Sequence, residues 1–104
     1  MFEELALSLS QYKVVLEPDE DIPGWWAGAP SVLYEDGIFY MAARMREGRS
    51  IGGKRGYEIR ILKSNDGIHF EPINHILREE AGVTGFERPA LVRDPKTKKY
   101  KLYC

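Results

Sequence analysis

The sequence predicts an all-β fold, built from one antiparallel four-stranded unit and the opening hairpin of a second. Three observations carry that prediction. Residues 28–44 read as two apolar strands joined at Asp36-Gly37. A two-residue hairpin turn needs positive φ, which glycine adopts freely and aspartate better than most residues. A further alternating run, residues 57–63, sets Tyr57, Ile59 and Ile61 against Glu58 and Arg60 and ends at a second turn signal, Asn65-Asp66-Gly67. Finally, a degraded copy of the first hairpin returns in residues 87–104. In both copies a proline (Pro30, Pro89) opens an apolar run, a turn follows, and a tyrosine marks the return strand. Recurrence at this distance, roughly 60 residues, suggests units that stack.

Taken in order, residues 2–10 suit either a short helix or an irregular arm. Residues 13–17 are β-prone and stop at Pro18, which has no N–H to give to a ladder. Pro18, Asp19-Glu20-Asp21 and Pro23 form a polar loop ahead of the large apolar pair Trp25-Trp26. The first two strands are expected at 32–35 and 38–45. In the second, Ile38, Tyr40, Ala42 and Arg44 share one face and Phe39, Met41, Ala43 and Met45 the other. Apolar residues on both faces imply a sheet packed between neighbours. Residues 46–56 place Arg46, Arg49, Lys54 and Arg55 among glycines, as in a long flexible loop. The third strand follows at 57–63 and the fourth at 68–73. The chain therefore divides into an N-terminal arm and strand (1–27), a first unit (28–73), a connector (74–85) and the start of a second unit (86–104), with strands at 90–92 and 100–103. Four antiparallel strands followed by the start of a similar unit is the layout of β-propeller blades.

Composition narrows the function. One domain at most fits in 104 residues, and 43% hydrophobic with 12% aromatic content is enough for a core. A formal net charge of −1 supplies no global field to hold nucleic acid or an anionic membrane, so neither is an expected partner. The lone cysteine, Cys104, excludes an internal disulfide framework and a cysteine-rich zinc site, and fits a reducing compartment. Glu3 and Glu4 stand where a secretory leader carries Lys or Arg, and Phe2, Leu5, Leu7 and Leu9 are too few and too broken for export or membrane spanning. The expectation is a soluble, cytoplasmic protein with no cofactor and no metal.

Three stretches in order, Gly28-Ala29-Pro30-Ser31 with Asp36-Gly37, Tyr40 and Arg44, then Ser64-Asn65-Asp66-Gly67-Ile68-His69-Phe70-Glu71, then Glu87-Arg88-Pro89, resemble the five-bladed β-propeller glycosidases. The nearest are glycoside hydrolase family 130, mannoside phosphorylases and relatives, and family 43, arabinanases and xylosidases. The resemblance covers residues 24–104 and implies one blade plus part of a second. It implies hydrolysis or phosphorolysis of a glycosidic bond, with an oligosaccharide or glycoside, and inorganic phosphate in the phosphorolytic case, as partners. Such chemistry needs a proton donor to the leaving oxygen and a base or nucleophile opposite.

On that resemblance Glu87, placed like the acid glutamate of family 43 before a small residue and a proline, is the catalytic candidate. Two positions depart from the pattern. Arg88 stands where family 130 has its proton-donating aspartate, and an arginine stays protonated at any working pH. Ala29 stands where family 43 has its base aspartate. The resemblance thus supports fold and sugar handling more than a working active site. Arg44, Arg46 and Lys54 are candidates to hold phosphate or sugar hydroxyls through guanidinium and ammonium donors. Arg88 joins them as a substrate-binding candidate. Of the Trp25-Trp26 pair one is expected in the core, and Trp26 is the candidate to stack on a pyranose.

Residues 64–70 resemble the Asp-box hairpin of propellers and are assigned a structural role. His69 and His75 have no carboxylate or cysteine at ligand spacing and are expected at the surface. Gly52-Gly53-Lys54 lacks the glycine spacing of a phosphate loop. Two other readings stand beside the enzyme: a non-catalytic carbohydrate-binding or assembly module, and a truncated gene product without independent activity. Open strand edges add an expectation of self-association.

Overall fold

The computed structural model describes residues 11–48 and 56–104. Candidates Arg49, Lys54 and Arg55, and the arm at 2–10, lie outside the described residues. A meander of four antiparallel strands, β1 (Trp26–Glu35), β2 (Ile38–Arg46), β3 (Gly56–Ser64) and β4 (Glu71–Leu77), forms one sheet in that spatial order. A single helical turn, α1 (Arg78–Ala81), closes on Gly82, whose φ of 71° ends it. A separate antiparallel hairpin follows, β5 (Ala90–Arg93) with β6 (Tyr100–Tyr103). The all-β reading holds, and the hairpin expected at 90–92 and 100–103 is present. Among the described residues no helix is long and apolar enough to cross a membrane.

The Asp36-Gly37 turn forms as its chemistry requires. Both residues have positive φ, 51° and 81°, and the flanking Glu35 and Ile38 pair directly. That is the type I′ geometry, whose twist matches the strands it joins.

The sheet has two unlike faces because side chains alternate along each strand. On one, Ala42 and Ile59 pack with Phe86 and Leu91, flanked by Leu33, Tyr40, Ile61 and Leu102. The β5–β6 hairpin therefore lies against this face. Ser31 Oγ accepts the Leu91 N–H at 3.0 Å, Arg93 pairs with Glu35, and the rings of Tyr40 and Tyr100 meet at 5.3 Å. On the other face Met41, Ala43 and Leu62 cluster with Leu16 and Phe70. β2 is thus buried on both sides, as its two-sided apolar pattern implied.

Five expectations need correction, the first being that β1, expected at 32–35, already begins at Trp26, which pairs with Arg46. Residues 13–17 form no strand: Leu16 packs on the apolar face of the sheet, so the segment runs over that face instead of joining a ladder. The fourth strand begins at Glu71, not at 68. Asp66 Oδ1 accepts the N–H groups of Ile68 and His69, both at 2.8 Å, and so holds these amides in the turn. The same strand continues to Leu77 and is followed by α1, so most of the supposed connector is structured. Tyr57 does not share a face with Ile59. The register of β2 and β3 shifts beside it, and Tyr57 donates to Asp19 together with Arg60. A bulge re-aims the side chain it displaces.

Candidate functional site

Of the six residues singled out for sugar chemistry five are described, and four of these meet at one end of the sheet. Alternation along β2 puts Arg44 and Arg46 on the same face, where Gly28 and Trp26 of β1 pair with them. Gly28 is required there, because a Cβ at that position would overlap the Trp26 indole. With only hydrogen in its path, the indole lies beside both arginines, each guanidinium carbon 5.2 Å from a ring centroid of Trp26. Such a cation over an aromatic ring is attracted by about 0.5–2 kcal/mol, more as water is excluded.

Glu87 arrives from a distant part of the chain. The Phe86 N–H donates to the Gly56 carbonyl at 2.9 Å, bridging the segment ahead of β5 to the start of β3. A Cβ on Gly56 would stand 2.5 Å from the Phe86 carbonyl oxygen and 3.0 Å from Arg44 Cδ, so this approach also depends on glycine. The bridge sets Glu87 beside Arg44, whose Nη1 donates to Glu87 Oε2 at 3.2 Å across 43 positions of sequence and to the Phe86 carbonyl at 3.4 Å. Arg44 Nε is buried without a hydrogen-bond partner among the described residues. The arginine side chain is 12% exposed, while that of Glu87 is 87% exposed. General-acid work calls for a carboxyl withdrawn from water. The described residues leave Glu87 in solvent, facing a cation.

The fifth candidate, Arg88, is exposed, and no described side chain pairs with it. Ala29 occupies a bulge in which Gly28 and Ser31 of β1 face Arg44 and Ala42, with φ of 49°. The cluster as a whole can bind: it offers guanidinium donors, an aromatic edge and one acceptor carboxylate. It does not present the two facing carboxyl groups of a hydrolase. Among the described residues no group of three His, Cys, Asp or Glu side chains is placed to hold a metal ion.

A second cluster was not anticipated. Arg60 donates to both carboxylate oxygens of Asp19, at 3.1 and 2.9 Å, and its Nε donates to Glu58 Oε1 at 2.7 Å. Glu58, buried under this face, meets His75 Nδ1 at 2.7 Å through its other oxygen. Tyr57 also donates its O–H to Asp19. The Arg60 hydrogen bond holds the Asp19 carboxyl below its usual range, against the opposing effect of partial burial. Burial and the nearby carboxylate push the Tyr57 phenol well above its own. The histidines are at the surface as expected, yet each has a carboxylate: Asp66 for His69 and Glu58 for His75. The one sequence signal for this network was the Glu58/Arg60 pair alternating along a strand whose neighbour is apolar.

Residues 64–70 are built as a structural turn. Ser64 Oγ accepts the Gly67 N–H at 2.9 Å and donates to Asp66 Oδ1 at 2.9 Å, and Phe70 packs against the cluster of Met41, Ala43 and Leu62. Comparison with protein-family models, curated proteins and solved structures yields no match.

Proposed function

We propose that the chain supplies a sugar-handling surface of a glycosidase-like domain. In this reading the four-stranded meander is one blade of a five-bladed propeller and the β5–β6 hairpin opens the next. Trp26, Arg44 and Arg46 bind an oligosaccharide or glycoside, and Glu87 supplies the carboxyl function for hydrolysis or phosphorolysis. The convergence of Trp26, Arg44, Arg46 and Glu87 carries the reading: Arg44 and Glu87 lie 43 positions apart in the chain and meet at 3.2 Å. Arg44 Nε, buried without a hydrogen-bond partner among the described residues, is consistent with it, since a buried donor normally finds a partner in protein, water or something bound.

The second reading, a non-catalytic carbohydrate-binding module, is favoured by the exposure of Glu87 and by Arg88 at the position of a proton donor. One set of measurements decides between them. Arabino-, xylo- and manno-oligosaccharides are titrated against tryptophan fluorescence, and p-nitrophenyl glycosides are assayed with and without inorganic phosphate. Either reading requires saturable binding that Arg44→Met and Trp26→Ala weaken at least tenfold. The enzymatic reading also requires turnover that Glu87→Gln lowers about 10²-fold, the scale of losing a general acid. Binding without turnover selects the binding module. No saturable response to any of these sugars overturns both.

A further inference from the structure

Residues 11–25 have no regular secondary structure, yet they are fastened to the sheet at three points. Leu16 sits in the apolar cluster of Met41, Ala43 and Leu62. Asp19 takes two hydrogen bonds from Arg60 and one from Tyr57. Trp25 packs its ring on Tyr57 at 5.7 Å, after a turn in which the Trp25 N–H donates to the Ile22 carbonyl at 3.2 Å and Gly24 takes a φ of 90°. The Pro23-Gly24 pair at the centre of that turn is the type II signature. The segment is therefore a strap, and Asp19 is its polar fastening.

The fastening and the Trp26–Arg44 cluster touch at two pairs of adjacent residues. Trp25 packs on Tyr57 in the fastening, while Trp26, the next residue, lies beside Arg44 and Arg46. Tyr57 donates to Asp19, while Gly56, the residue before it, lies against Arg44 Cδ and bridges to Phe86. Adjacent residues share a peptide plane, so the packing of Trp25 on Tyr57 restrains the backbone that aims the Trp26 indole. Likewise, Tyr57 held on Asp19 restrains the backbone next to the Gly56–Phe86 bridge that presents Glu87. Coupling of this kind passes through packed groups and rigid backbone, and is measured by perturbing one end and reading the other.

We infer that the strap is a conformational latch. Asp19, docked on Arg60 and Tyr57, is a positioning residue that holds Trp26, Arg44 and Glu87 in their observed arrangement from the far side of the shared backbone. Undocking the strap loosens the cluster while the β2–β3 core stays intact. Conversely, a ligand that orders Trp26 and Arg44 tightens the strap, because coupling between two sites is reciprocal.

The test uses the full chain and needs no ligand. Asp19→Asn removes the charge that fastens the strap, and Tyr57→Phe removes a single O–H. Amide hydrogen exchange is followed residue by residue, with the Arg44 Nε–H resonance read by NMR and acrylamide quenching read on the tryptophans. The expected result for both variants is at least tenfold faster exchange at residues 26–28 and at Phe86, a displaced Arg44 Nε–H signal, and unchanged protection at residues 40–43. Changes confined to residues 16–25 and 57–60, with the Arg44 signal unmoved, overturn the latch. If Asp19→Asn unfolds the whole sheet, Tyr57→Phe decides alone: unaltered exchange at residues 26–28 in that variant overturns the proposal.

Discussion

Ala29 holds a backbone conformation that alanine resists. Its φ of 49° lies in the left-handed region, where a Cβ crowds the following carbonyl at a cost of about 1–2 kcal/mol. The bulge between Gly28 and Ser31 imposes this geometry, and glycine would accept it freely. Ala29→Gly should therefore stabilise the chain by about 1 kcal/mol, part of the relief being offset by the freer unfolded chain. Urea denaturation of the two proteins reads the difference, and a loss of stability in Ala29→Gly would mean that the backbone relaxes without strain. Asp19 gives a prediction in pH. Its carboxyl is held below the ordinary value, chiefly by the Arg60 hydrogen bond. The folded state therefore favours the ionised form, and the resulting stability is present above the unfolded carboxyl's value of about 3.9. It is lost as pH falls through the lower folded value. Wild type should exceed Asp19→Asn in stability by a constant margin from about pH 7 to 5, and the margin should vanish in acid. A margin unchanged down to about pH 2, below the usual carboxylate range, would assign the effect to something other than this carboxyl.

Elements were legible where local chemistry alone sets them. Asp36-Gly37 fixes the β1–β2 hairpin through its own dihedral preferences, and the observed pairing of Glu35 with Ile38 leaves no register to choose. The start of β4 was misread for an equally local reason acting through a side chain: Asp66 captures two amides that residues 68 and 69 would otherwise offer to a ladder. Ser64 completes that turn from a buried position, accepting the amides of Asp66 and Gly67. Ser64→Ala should cost about 1–3 kcal/mol, the scale of leaving buried donors unpaired. It should also raise exchange at residues 67–69 ahead of the rest of the sheet. A loss below about 0.5 kcal/mol, under the usual net worth of one hydrogen bond, would show that water replaces the hydroxyl. Residues 13–17 failed in the opposite way. Their β propensity is real, but propensity does not say whether a sheet edge will receive them, and here the sheet face receives Leu16.

At the scale of the whole molecule, the two sheets are unequal. A two-stranded hairpin lies on a four-stranded sheet, and a groove lined by Tyr40, Ile61, Ile73, Ile76 and Leu102 remains beside it. Among the described residues β4 is an edge strand, with Ile73 47% and Ile76 38% exposed. Unpaired edges with apolar side chains invite pairing with other chains. Purified chain should accordingly associate with rising concentration in light scattering, and Ile73→Lys, a charge on that edge, should shift the onset to higher concentration. A monomer at all concentrations, melting cooperatively above about 60 °C, in the upper range for mesophile domains, would show that these edges are already protected.

By itself the sequence determined the all-β class, the Asp36-Gly37 hairpin, the two-sided burial of β2 and the structural turn at residues 64–70, because each follows from alternation or from turn chemistry within a few residues. It also named Trp26, Arg44, Arg46 and Glu87 as residues worth watching. Their assembly was decided only in three dimensions. Arg44 and Glu87 meet because the Gly56 carbonyl accepts the Phe86 amide and Gly56 has no side chain to block the approach. The Asp19–Arg60–Glu58–His75 network was hidden for the same reason. Its members lie on the strap, β3 and β4, and an ion-pair network between distant segments leaves no periodicity in the chain. Local patterns report the steric and solvent preferences of neighbouring residues, whereas a site depends on which segments pack together, and that is fixed by the fold as a whole.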